Sequence, residues 1–138
     1  MPLRAWIWLA LLILPTAACG GGGTLSTKAF QKQAESLQSF AAEGALVAEG
    51  TADGRATETF VSVHTEYLGK AATNVETDLG SAQASGGLEE KRKSALRLAG
   101  RITDQLEQLH RAPDDPKLAA RLAAELRGEA DAAEKLAK

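Results

Sequence analysis

Few side chains in this sequence are of kinds that do chemistry unaided: one cysteine, Cys19, and two histidines, His64 and His110. An imidazole becomes a general base or a metal ligand when acids, thiols or further imidazoles converge on it. His110 closes the run Glu107-Gln108-Leu109-His110, a spacing that turns a carboxylate and an imidazole to one side of a helix. A di-iron bundle needs two such pairs and two further glutamates around one centre, and this chain has a single pair. A histidine at a helix end is already accounted for by the helix dipole. His64 lies one turn from Phe60 and near Tyr67, on what reads as the apolar stripe of a helix. It fits a core-edge histidine bonded to a neighbour better than a metal or haem ligand, because ligands come in clusters. The one methionine is Met1, and there is no Cys-x-x-Cys-His, so neither a His/Met haem site nor covalent haem is expected.

Other catalytic signatures are absent from the sequence. There is no Gly-x-Ser-x-Gly nucleophile turn. The glycines Gly20–Gly23 follow no strand and open no lysine-bearing helix, so they are no phosphate loop. Asp114-Asp115 precedes Pro116, which marks a helix start rather than a calcium loop. The expectation is a protein that is not an enzyme, with no catalytic residues, metal or cofactor.

Four amphipathic segments would have to position any site. The first runs from about Thr27 to Glu49, with Phe30, Ala34, Leu37, Ala41, Gly44 and Ala48 on one face, Ser26 as its cap and Leu25 as a staple onto Phe30. The second runs from Arg55 or Thr57 to Leu79, with Phe60, His64, Tyr67, Ala71, Val75 and Leu79 as its seam. Gly80–Gly87 reads as a linker. The third spans Leu88 to Arg111 through Ala95, Leu98, Ile102, Leu106 and Leu109. The fourth starts at Asp115-Pro116 and carries Leu118, Leu122, Leu126, Ala130 and Ala133. Similar lengths and short connections predict an all-α domain over residues 25–138, an antiparallel four-helix bundle running up-down-up-down. Gly44 falls on the core face, where it suits a close approach of backbones; Gly69 falls off the seam without a packing reason.

The amino terminus carries the most specific signal. Met1-Pro2-Leu3-Arg4 is a short cationic start, Ala5 to Leu14 is an apolar run, and Pro15-Thr16-Ala17-Ala18 leads into Cys19. The apolar run has about ten residues where a membrane-spanning helix needs about twenty. The segment resembles the signal peptide of bacterial lipoproteins, in which small residues precede an obligatory cysteine. That resemblance implies residues 1–18 as a cleaved signal peptide, a thioether-linked diacylglycerol on Cys19, and acylation of the new amino terminus. It further implies a place on the outer face of a bacterial membrane; Gly20 rather than Asp after the cysteine implies the outer membrane where the cell has two. Gly20–Gly23 with Thr24 makes residues 19–24 a flexible tether.

Composition narrows the partners. Removing Arg4 with the signal takes the net charge from −2 to about −3, with no basic stripe carrying interleaved aromatics, so no nucleic acid is expected. Glu89 to Lys93 with Arg97 and Arg101 gives the third segment a basic face, read as a solvated one. By elimination, the chain reads as a lipid-anchored envelope protein whose helical bundle is a non-enzymatic interaction or scaffolding module. Its partners would be the membrane, through Cys19, and another envelope protein. The alternative is a ligand- or metal-binding bundle using the region around His64 and Tyr67.

Overall fold

The protein is described here by a computed structural model covering residues 23–138. The expected signal segment 1–18 and the expected lipidation site, Cys19, lie outside the described residues.

Helices α1 (Thr27–Ala52), α2 (Glu58–Ser81), α3 (Gly87–Arg111) and α4 (Pro116–Ala137) follow one another. Their starts obey local chemistry, because the first turn of a helix has amide N–H groups with no partner inside it. Ser26 Oγ accepts from the Ala29 N–H at 3.1 Å, and Thr57 Oγ1 from that of Phe60 at 3.3 Å. Asp115 Oδ1 accepts from both Lys117 and Leu118, each at 3.0 Å. Helix α3 has no side-chain cap and instead carries Glu89 and Glu90 in its first turn, where the dipole favours them. The Ser26 and Asp115-Pro116 starts are those the sequence predicts. Helix α1 runs three residues past the expected Glu49 before the chain reverses at Gly54, whose φ of 68° suits a residue without a Cβ.

The four helices form the expected antiparallel bundle, with α1 packed most extensively on α4 and α2 on α3. Alanine explains the α1–α4 pair: Ala34, Ala41, Ala45 and Ala48 on α1 and Ala119, Ala123 and Ala133 on α4 are all buried, so the axes lie close. Helices α1 and α3 also meet across the bundle's short diagonal, whereas α2 and α4 do not touch. Gly44 sits at that crossing. A Cβ there would meet Leu106 Cδ2 at 2.8 Å and Leu126 Cδ1 at 3.3 Å, so the absent side chain is what admits those leucines. This is the close approach that its place on the core face predicts.

Polar pairs clamp the helices from outside. Arg101 forks onto Glu129 with two bonds of 2.8 Å, joining α3 to α4, and Arg127 pairs with Glu49, joining α4 to α1. Arg92 holds Glu89 with two 2.8 Å bonds and donates to the Leu79 carbonyl at 2.9 Å, closing the end of α2 against α3. The segment before α1 is docked at this same end. Leu25 N–H donates to the Gln83 carbonyl at 2.8 Å and Gln83 N–H to that of Gly23 at 3.2 Å, a parallel bridge between Thr24 and Gln83. Among the described residues, no helix is long and apolar enough to cross a membrane.

Candidate interaction surface

Helix α2 places its side chains differently from expectation, and the difference creates the most conspicuous surface feature. Its buried residues are Val61, Thr65, Leu68, Ala72, Val75 and Leu79. The expected seam through Phe60, His64, Tyr67 and Ala71 is therefore off by one residue, about 100° of rotation, over the first half of the helix. The two seams rejoin at Val75 and Leu79. Adjacent apolar pairs, Phe60-Val61 and Tyr67-Leu68, satisfy either register, so periodicity alone does not choose. Burial of Thr65 decides it: its hydroxyl donates to the Val61 carbonyl at 2.7 Å, so a polar side chain enters the core without an unmet bond.

The aromatic residues are displaced outward as a result. Phe60 is 45% exposed, Val63 60% and Tyr67 65%, and Leu46 on α1 is 66% exposed. Phe60, Val63 and Tyr67 are spaced i, i+3, i+7, a strip about 10 Å long on one side of α2. His64 lies within it, stacked on Phe60 with ring centroids 4.2 Å apart. Its Nε2 is 3.9 Å from Glu43 Oε1 on α1. His64 is thus a half-buried edge residue with a neighbour, and Tyr67 is open to solvent.

On the opposite flank of α2 a groove of about 330 Å³ opens toward α3. Thr65, Gly69 and Thr73 face Thr103, Glu107 and His110 across it. A Cβ on Gly69 would meet nothing within 4 Å, so the groove is the consequence of a glycine whose place off the seam gave it no packing role. His110 Nδ1 lies 3.1 Å from the Ser62 carbonyl and 3.2 Å from Thr65 Oγ1. The Thr65 proton is directed at Val61, so both partners accept and Nδ1 carries the hydrogen. This cross-helix bond goes beyond the dipole role expected of His110. Glu107 is drawn to Arg111 instead of the groove's centre. On the rim, Lys70 donates to Glu66 at 2.6 Å and holds that carboxyl below the usual carboxylate range.

The two histidines therefore lie on different sides of α2: His64, on α2 itself, faces α1, and His110, on α3, bonds to Ser62 of α2. Among the described residues, no three of His, Cys, Asp and Glu come together in a way that could hold a metal ion. The chain matches no known protein family, curated protein or solved structure. The assignment of a role thus rests on its own residues.

One stability test arises from the groove. Gly69→Ala adds a methyl into open space within a helix, so it should stabilise the bundle by about 0.5–1 kcal/mol, read as a higher melting temperature. A lower melting temperature would mean that α2 and α3 approach more closely at Gly69 than described.

Proposed function

We propose that this chain is a lipid-anchored protein of a bacterial envelope, held by Cys19, whose bundle is a non-enzymatic docking module for another envelope protein. The anchor rests on the sequence from Met1 to Cys19. The docking role is supported by one observation above others: Phe60, Val63 and Tyr67 share an exposed strip although the same helix buries smaller Val61 and Ala72 completely. Contiguous exposed apolar side chains with aromatic members are a typical centre for protein contact. Glu43 of α1 lies beside the strip at His64, which suits a partner presenting a cation next to its apolar residues.

A photo-crosslinking residue at Tyr67 in the full chain tests this in the producing cell. It should yield a discrete adduct, while the same residue at Arg121 on α4 should not. Phe60→Ser with Val63→Ser should reduce the adduct by roughly tenfold or more, as expected for the apolar centre of an interface. Val63 is mostly exposed and should shift melting little, while Phe60, which buries about half its surface, should cost about 1–2 kcal/mol and leave the bundle folded. Equal adducts from Tyr67 and Arg121 would contradict the reading.

A further inference from the structure

The strip on α2 is small for an interface that must hold by itself. It consists of three partly exposed side chains, Phe60, Val63 and Tyr67, over about 10 Å of helix. At their exposures these present on the order of 300 Å² of apolar surface, where a stable complex covers about 800 Å² on each partner. Leu46 of α1 lies on the α4 flank of the bundle, beside Arg127 and Ala130, and does not lengthen the strip. A contact of that size between freely diffusing proteins is weak and transient.

The tether supplies what the area does not. Leu25 N–H and Gln83 N–H bond the chain to the α2–α3 connection, so it is fixed to the bundle from Gly23 onward. Cys19 is four residues before Gly23, and four residues span at most about 14 Å. Without the bridge the free length would run to Ser26 and reach about 25 Å. Tyr67 is 14 residues of α2 from Ser81 and Phe60 is 21, or about 21–32 Å along the helix. Adding the two lengths, a lipid on Cys19 keeps the whole strip within about 46 Å of the headgroups, however the bundle leans. Two proteins held in one membrane share that thin layer. Confining both raises the effective concentration of each for the other, so that a weak contact becomes occupied. A partner free in solution has no such gain.

We infer that the partner of the strip is a different protein anchored in the same membrane, which lays apolar side chains beside a cation on Phe60, Val63 and Tyr67. Glu43, next to the strip at His64, is the acid that the cation meets. A second copy of this chain fits less well. It would bring an identical Glu43 to the strip, and Lys70, one turn from Tyr67, is already taken by Glu66. The inference rests on the lipid anchor and the docking role proposed above.

The full chain with a photo-crosslinking residue at Tyr67 and a specific protease site inserted between Gly21 and Gly22 tests this in the producing cell. After irradiation, membranes are isolated, treated with the protease and floated in a density gradient. Bundle that has not crosslinked loses its lipid and should stay at the bottom, which shows that cleavage is complete. The Tyr67 adduct should still float, enriched roughly tenfold or more over the free bundle, because the partner's own anchor holds it. An adduct released together with the free bundle overturns the inference, and one of twice the bundle's mass identifies a second copy as the occupant. Absence of any adduct at Tyr67 overturns the docking role, and the inference with it. Chain that fails to float before protease treatment overturns the anchor, and the inference with it.

Discussion

Leu106→Asp should leave the domain without a cooperative thermal transition. Leu106 is fully buried, and its Cδ2 occupies the space left by Gly44 where α1 and α3 cross. The substitution removes a leucine from a packed site, at about 2–5 kcal/mol, and puts an unpaired carboxylate in its place, at several more. No cation lies among the main core residues around it, which are Phe30, Leu37, Leu68, Ile102, Leu126 and their alanine neighbours. A domain of this size has about 5–15 kcal/mol in total, and a core this rich in alanine buries less apolar surface per residue than one of leucine. The measurement is far-ultraviolet circular dichroism against temperature. The parent should be strongly helical and melt in one step, and the variant should show weak, sloping ellipticity. A cooperative melt within a few degrees of the parent would mean that Leu106 is not at the crossing and that the α3 seam is misassigned.

Most of the fold was legible because it is written in local chemistry. Ser26 and Asp115-Pro116 cap helices for reasons confined to one turn, and the seam of α1, with Leu98, Ile102 and Leu106 of α3 and Leu122 and Leu126 of α4, is buried as its spacing predicts. Helix α2 was misread over its first half because Phe60-Val61, Tyr67-Leu68 and Ala71-Ala72 each offer two apolar choices. Room in the bundle and the self-satisfied hydroxyl of Thr65 favoured the other register, which no single-helix pattern contains. The candidate surface was illegible for the same reason, since an exposed strip exists only once the register is known. The bond from His110 to Ser62, the groove at Gly69 and the docking of Gly23–Leu25 on Gln83 each join residues far apart in sequence. Those pairings follow from helix placement, and composition and spacing do not carry them.

Cys19→Ala should have the largest effect on where the protein resides, and the reason is again local. A diacylglycerol adds two acyl chains, and two chains give stable membrane attachment where one gives only marginal, reversible binding. Without the thiol there is no atom for the thioether, and the described residues provide no membrane-crossing helix to substitute for it. The bundle itself should be indifferent: residue 19 precedes the docked Gly23, so the variant domain should melt at the parent's temperature.

The most direct measurement is therefore the intact mass and detergent phase partitioning of the full chain expressed in a bacterium, beside Cys19→Ala. A chain beginning at Cys19 with a lipid-sized mass increase, entering the detergent phase, is the predicted result, with both properties lost in the variant. An unmodified chain that stays in the aqueous phase in both forms would contradict the lipid anchor.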